Sequence, residues 1–470
     1  FFGRLNYNYK EKYLLEVNGR YDGTSRFMKD QRWNFFPSFS LGWNVARENF
    51  WKPLESVVNQ FKLRGSWGEL GNQNTSNLYP FYEILPVKSN SGNWLVNGGK
   101  TNTADIPSLV STLLTWERVR SFNVGFDFGA FSNRLTGSFD YFVRKTVDMV
   151  GPAPQLPLVL GIAPAIVNNA DMKSYGFEIE LSWRDRIGEV DYGVKFNLAD
   201  AQQKVVKYPN TTNAFSDWYA GKMSGEIWGY TSLGIAKTDE EMKEHLASLP
   251  NGGQNQLGNK WGAGDIMYAD INGDGKIDGG KGTLADPGDQ RIIGNSTPRY
   301  NFGLVLDASY KGFDVSIFFQ GVGKRDYAPI VGTNGAVFWG AVNNIWQSMA
   351  MEEHFDYFRP EGHPMGANLN GYYPRPDFTS NKNHQVQTRY LQDASYIRLK
   401  NLQIGYTLPK QWINKLHINR CRVYVSGDNL WTGTSLASMF DPETLAAGDW
   451  GSGKTYPLSK VISFGLNVNF

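Results

Sequence analysis

The sequence predicts an all-β fold, an antiparallel transmembrane β-barrel, on three observations. Of its 470 residues, 51 are Gly and 14% are aromatic, a composition rich in turn formers and rings. About thirteen segments, spread over the whole chain, alternate apolar and polar residues at the two-residue period of a strand. Very short turns between them alternate with long, irregular, polar connections, the arrangement of outer-membrane barrels.

The series opens with LNYNY from Leu5 and YLLEVNGRY from Tyr13. In the second, Tyr13, Leu15, Val17, Gly19 and Tyr21 share one face, and Leu14, Glu16, Asn18 and Arg20 share the other. The same alternation returns in FSLGWNV from Phe39, FKLRGSWGE from Phe61, FNVGFDF from Phe122, LTGSFDY from Leu135, GFEIELSW from Gly176 and YGVKFNL from Tyr192. It continues in YNFGLVLDASY from Tyr300, FDVSIFF from Phe313, YIRLKNLQIGY from Tyr396 and RVYVSGD from Arg422. The chain closes on VISFGLNVNF, with Ile462, Phe464, Leu466, Val468 and Phe470 on one face, a terminal strand of the kind that barrel-assembly sequences resemble.

Alternation alone also suits a soluble β-sandwich, which buries its apolar face against a second sheet. Two features favour the barrel. Aromatic residues of the apolar face gather at strand ends (Tyr7, Tyr9, Tyr13, Tyr21, Trp43, Trp67, Tyr141, Trp183), as interfacial girdles do. The opposite face carries charge in mid-strand (Glu16, Arg20, Lys62, Arg64, Asp127, Asp140, Glu178, Glu180), which is tolerable against a wet lumen.

The short turns are KEK after Tyr9, FSNR from Phe131 and KGFD from Lys311; the two longest connections span about 200–299 and 321–395. One of these holds a predicted helix, TDEEMKEHLASLP, with Thr238 as cap, Glu241 at the capping-box position and Pro250 closing the run. Bacterial barrels have an even number of strands and periplasmic termini, so an odd count ending in the periplasm begins outside the cell. The expectation is that Phe1 starts a descending strand, that upstream strands precede it, and that the long connections are extracellular.

Several functions are excluded or disfavoured. No run of roughly eighteen apolar residues offers a transmembrane helix. A net charge of +2 without a basic stripe argues against nucleic acid. Cys421 stands alone, and His245, His354, His363, His384 and His417 are scattered, so a cysteine or histidine metal site is disfavoured. GDWGSGKT satisfies the P-loop pattern through Gly448, Gly453, Lys454 and Thr455, but Pro457 and the last strand follow where a phosphate-binding helix belongs. Glu240 and Glu241 read as a solvated helix face, and no catalytic triad or zinc-protease motif appears, so the chain is read as no enzyme. The connection aromatics Trp218, Tyr219, Trp228, Tyr230, Trp261, Phe338, Trp339 and Trp346 are assigned mostly to packing, with a ligand role for an unidentified minority.

DINGDGKIDG, Asp270 to Gly279, carries the oxygen spacing of a calcium loop: Asp270, Asn272 and Asp274 at positions one, three and five, the Lys276 carbonyl at seven and Asp278 at nine. Lys281 stands at position twelve in place of a bidentate Glu, so Asp286 and Asp289 are the nearest further donors. The expectation is a structural Ca2+ clip; the other reading is a metal-free cluster of Asx turns.

The runs YLLEVNGRYDGTSRF, FPSFSLGWNV, FKLRGSWGELGNQ, SYGFEIELSW, DINGDGKIDG, YKGFDVSIFFQG, ASYIRLKNLQIGYTLP and SGDNLW, in that order, resemble the SusC-like (RagA-like) TonB-dependent transporters of Bacteroidetes outer membranes. The resemblance implies that residues 1–470 are the C-terminal portion of a 22-stranded barrel, its tenth to last strands. It further implies a plug inside the barrel, a SusD-like surface lipoprotein as partner, and import of oligosaccharides or peptides across the lipid bilayer with energy from TonB. No signal peptide, TonB box or plug is found within these residues. A calcium-stabilised extracellular β-rich binding protein or adhesin, and a passive porin, are the other readings.

Overall fold

The structure is a computed structural model that describes all residues except 76–77, 154–155, 163, 330–335, 343–349, 415–416 and 446–454. Each of the thirteen alternating segments forms a strand: β1 (Phe2–Tyr9), β2 (Tyr13–Gly23), β3 (Trp33–Asn44), β4 (Val58–Asn72), β5 (Glu117–Ala130), β6 (Leu135–Gly151) and β7 (Val167–Ile187). Then follow β8 (Val190–Lys207), β9 (Arg299–Tyr310), β10 (Phe313–Lys324), β11 (Tyr396–Thr407), β12 (Arg420–Thr434) and β13 (Val461–Asn469). Hydrogen bonds order them strictly along the chain in a single sheet. The registers of β1–β6 and of β8–β13 are antiparallel throughout. The other sheets are two-stranded, so among the described residues no second sheet of the size a sandwich requires is present.

By compactness the chain divides into a first unit, Phe1–Ile179 with Ala201–Asn213 and Asp217–Met223, and a second, Glu180–Asp200 with Ala214–Ser216 and Ser224–Phe470. In the first unit the apolar face of each strand is turned to solvent: Leu5 is 63% exposed and Leu41 58%, and Val17, Leu63 and Val124 are exposed with them. Leaving such side chains in water would cost about 1.5–3 kcal/mol each; lipid removes that cost. Rings bound this band at both ends. Tyr13 stacks on Tyr9 and on Trp43, each at 6.5 Å, and Tyr21 stacks on Trp33 at 5.2 Å. From Tyr13 to Tyr21 the strand rises ~26 Å, and a tilt of ~40° brings this near the height of an apolar membrane band.

The short turns follow from local backbone chemistry. Lys10 and Glu11 both have positive φ, as do Phe131, Ser132 and Asn133. At Lys311 (φ 45°) and Gly312 (φ 90°) a two-residue turn of the primed type joins β9 to β10, matching the strand twist. A Cβ on Gly312 would stand 2.8 Å from the Thr407 carbonyl, so only glycine fits there. Glu48, after β3, fastens the adjoining ring belt, accepting from Tyr13 Oη (2.7 Å), Lys12 Nζ (2.9 Å) and Trp43 Nε1 (3.2 Å).

The long connections depart from expectation at their edges. The sequence placed one at about 200–299, but β8 runs on to Lys207, so the connection spans 208–298. The tail of β8 is held by hydrogen bonds from the Val205 amide to the Lys222 carbonyl and from the Gly221 amide to the Val205 carbonyl, both 2.9 Å. Likewise β10 extends to Lys324, and the next connection is 325–395. A third, 73–116, carries two short hairpins, Val87–Lys88 with Thr103–Ala104 and Leu95–Val96 with Gly99–Lys100. Its end returns Leu114 and Trp116 to a small core with Phe27 and Phe36.

In the second unit the long connections build a core of their own. Tyr230, Ile266, Tyr268, Ile277, Phe338, Trp339, Tyr373, Tyr390 and Phe440 are buried together. The predicted helix, α1, is Asp239–Ala247; Thr238 Oγ1 accepts the Glu241 amide at 3.1 Å, and Met242 is its buried anchor. The Glu241 carboxylate reaches back to the Lys237 amide (2.6 Å), one residue before the cap.

Candidate functional site

Opposite the exposed apolar face lies a polar one, and strand register sets its pairs. Arg64 on β4 lies across from Gly125 on β5, which lies across from Asp140 on β6. Its guanidinium takes Asp127 in a bidentate grip (2.9 Å from Nε to Oδ2 and from Nη2 to Oδ1) and Asp140 at 2.7 Å twice. The missing side chain at Gly125 makes the room, since a Cβ there would meet Asp140 Oδ1 at 2.6 Å. Further along, Arg118 and Arg120 each reach the buried Glu69 at 3.2 Å.

The second unit repeats the device. Arg422 pairs with Asp314 and with Gln403 (3.0 Å), Asn401 with Asp428 (2.7 Å), and Arg299 with Asp200. Arg398, 3% exposed, binds Asp441 (2.7 Å), Glu443 (2.8 Å) and Thr432 (2.8 Å). Of the mid-strand charges singled out in the sequence, Arg64, Asp127 and Asp140 come together in one cluster, whereas Glu178 and Glu180 stay exposed. A face of paired charges opposite an apolar one suits water on one side and lipid on the other.

The stretch from Asp270 to Gly279 forms a tight series of Asx turns in the second unit. Asp270 Oδ1 and Oδ2 accept the Gly273 (2.6 Å) and Gly275 (2.8 Å) amides, and Asn272 Oδ1 accepts that of Asp274 (3.0 Å). Asp274 Oδ1 accepts the Lys276 amide at 3.1 Å and Asp278 Oδ1 the Gly280 amide at 2.7 Å. The Lys276 ammonium stands 2.5 Å from Asp278 Oδ2 and 3.8 Å from Asp274 Oδ2, and it holds the Asp278 carboxyl below the usual carboxylate range.

Behind the loop, fully buried Asp289 accepts the amides of Ile271 and Asp278, both at 2.8 Å. Burial pushes its carboxyl above the ordinary value. The donors are the hard oxygens that calcium selects. Among the described residues, no group of three or more His, Cys, Asp or Glu side chains converges as a metal site.

The connection aromatics sort mostly into packing. Tyr230, Phe338 and Trp339 are buried, Trp261 packs against them, and Trp228 stacks on Phe215 at 4.6 Å. Trp218 is 40% exposed, and the Lys222 ammonium lies over it and Tyr219 at 5.8 and 5.4 Å. Trp346 and the P-loop-like positions Gly448, Gly453 and Lys454 lie outside the described residues.

Sequence reasoning missed the knot that fastens two long connections together. Asp265, wholly buried, binds Arg375 (2.6 and 2.8 Å), Lys382 (3.0 Å) and Asn383 (2.9 Å). Lys382 Nζ also reaches the Asn259 and Lys260 carbonyls at 3.1 and 3.0 Å. No local spacing links residues so far apart in the chain.

Comparison with known proteins agrees with this architecture. A family model described as TonB dependent receptor-like, beta-barrel matches residues 1–430. TonB-dependent receptor P3 of Formosa agariphila is 30% identical across the whole of this chain, which covers 45% of that protein. TonB-dependent receptor SusC of Bacteroides thetaiotaomicron is 24% identical, again over the whole chain and over 43% of the relative. The chain thus spans about half the length of the curated relatives it matches. In fold it aligns in full with the RagAB peptide transporter, at a TM-score of 0.74 and 23% identity, covering 47% of the matched chain.

Proposed function

Because the chain belongs to the TonB-dependent receptor-like β-barrel family of outer-membrane transporters, which are not enzymes, we propose that it walls the pathway of an importer of oligosaccharides or peptides. The whole transporter works with a SusD-like surface lipoprotein and draws its energy through TonB. The carrying observation is the inversion of the wall, apolar outside and ion-paired inside, which suits lipid on one face and a hydrated path on the other. The lipoprotein reading is favoured by the connection 73–116, where Leu78, Tyr82, Ile84, Leu95, Ile106 and Leu113 are all exposed. So many exposed apolar side chains on one connection suit a surface that a partner covers. Strand parity turns the long connections outward, the side on which a surface lipoprotein sits.

The test is uptake of labelled oligosaccharide and peptide pools by cells carrying the whole transporter, with TonB or the lipoprotein removed in turn. Loss of uptake in both deletions is expected. Uptake that persists without TonB would establish a passive porin, and a protein released from membranes without detergent would establish an adhesin.

The same proposal includes calcium as a clip between Asp270, Asn272, Asp274, the Lys276 carbonyl and Asp278. Its support is the donor chemistry, and its competitor is the Lys276 ammonium at Asp278. Calcium binds with release of that ammonium, so Lys276→Gln strengthens calcium binding by roughly tenfold in calorimetry, since position seven donates only its carbonyl. Failure of both proteins to bind calcium at millimolar concentration leaves the loop as an Asx-turn cluster.

A further inference from the structure

The connections of the second unit enclose a cavity of about 180 Å³, lined by Trp339, His354, Phe355, Tyr373, Phe378 and His384. Trp339 and Tyr373 belong to the buried core, so this side of the cavity is fixed, while Phe355 and Phe378 are more than half exposed and mark its open side.

Two of the polar side chains of the lining are engaged within the protein. His354 Nδ1 accepts the Met351 amide at 2.9 Å, and its Nε2 stands 3.0 Å from the Val337 carbonyl. Arg375, at the margin, is engaged by Asp265 and by the Lys260 carbonyl (2.8 Å). His384 is 2% exposed, its ring lies 4.6 Å from that of Trp339, and its Nδ1, itself sealed from solvent, has no hydrogen-bond partner among the described residues.

Volume and wall chemistry together select a guest. A dry cavity of roughly 150 Å³ lined by apolar groups holds a benzene ring. A hexose of similar bulk would bring several hydroxyls against the faces of Trp339 and Tyr373, which offer few hydrogen bonds in return for the water lost. A folded partner docks over a broad surface of roughly 800 Å² per side, whereas a volume of about 180 Å³ matches a single ring-bearing side chain.

We propose that the cavity is a subsite for one aromatic side chain of a peptide cargo, packed against Trp339 and Tyr373. The proposal rests on the transporter reading above and selects the peptide side of its substrate class.

The test uses the intact transporter in detergent, with N-acetyl-tyrosinamide, N-acetyl-tryptophanamide, N-acetyl-alaninamide and glucose titrated by calorimetry. The two aromatic amides bind, in the roughly micromolar to millimolar range open to small ligands, and the other two bind at least about tenfold more weakly. Ala350→Trp, placed at a solvent-exposed lining position where it does not disturb the core, fills the opening and lowers aromatic binding by about tenfold or more. Equal binding of glucose, or aromatic binding unchanged in Ala350→Trp, overturns the subsite. TonB-dependent uptake with no aromatic-amide binding overturns the subsite alone. Aromatic binding together with TonB-independent uptake supports the subsite and overturns the transport reading.

Discussion

The strands and the long connections of this chain obey opposite rules of burial. On β2 and β3, Val17, Phe39 and Leu41 are exposed while polar partners such as Arg64 and Asp140 meet on the other face. In the connections, Tyr268, Phe338 and Ile277 are wholly buried and charge lies mainly outside, with Asp265 and Lys382 buried as a pair and Asp289 buried against backbone amides. The same twenty side chains are thus sorted by two solvents. A strand residue is placed by lipid against a wet interior, and a connection residue by water against a dry core. Substitutions must therefore act with opposite sign in the two regions, which gives ways to break the comparison.

The largest effect belongs to the core of the connections. Phe338→Ala removes a wholly buried ring packed on Trp339, Tyr373 and Tyr390 and costs about 3–5 kcal/mol. Hydrogen exchange should rise across 230–290 and 336–395 while the strands stay protected; equal deprotection of β1–β6 would contradict a separate core.

Next comes the wall. Val17 lies midway between the ring belts at Tyr13 and Tyr21, so Val17→Arg costs ~2–4 kcal/mol in a bilayer. Ser40, on the polar face beside Glu16, Lys62 and Arg64, accepts arginine within about 0.5 kcal/mol. Refolding into lipid vesicles under urea measures both, and equal costs would remove the distinction between the faces.

A pH effect sharpens the comparison further. Burial pulls the His384 imidazole down to about 4, with Asp377 opposing. The fold therefore holds this group neutral, while the unfolded chain protonates it below its ordinary value near 6.5. Its contribution is intact above about 6.5 and is lost as pH falls towards 4, by on the order of 2–3 kcal/mol. Loosening of the connections in that window, abolished in His384→Gln, is the expected result of exchange measured against pH.

The smallest effect is local. Thr238→Ala removes the cap of α1 and costs ~1 kcal/mol, read as fraying of Asp239–Ala247 alone.

Legibility in the sequence divides along the same line. Every strand could be read, because a lipid-facing strand must alternate and alternation is local in the chain. The α1 cap was readable for the same reason, as Thr238 and Glu241 are three residues apart. The end of β8 was not, because AQQKVVK alternates poorly and is held by residues 221–222. Nor was the Asp265 knot with Arg375 and Lys382, whose members meet across 110 residues or more. The connection 73–116 escaped notice as a unit since its hairpins pair only two residues a side. In DINGDGKIDG the oxygen spacing was legible, but not the reach of the Lys276 ammonium to Asp278.

The central claim is that the wall sets lipid against one face and water against the other, and collision accessibility of nitroxide labels tests it most directly. Labels placed singly from Leu15 to Gly19 in the intact transporter in bilayers would be exposed in turn to oxygen and to a water-soluble nickel complex. Positions 15, 17 and 19 should favour oxygen and positions 16 and 18 the nickel complex, with a period of two. Uniform access of the nickel complex along β2, without alternation, would contradict the account.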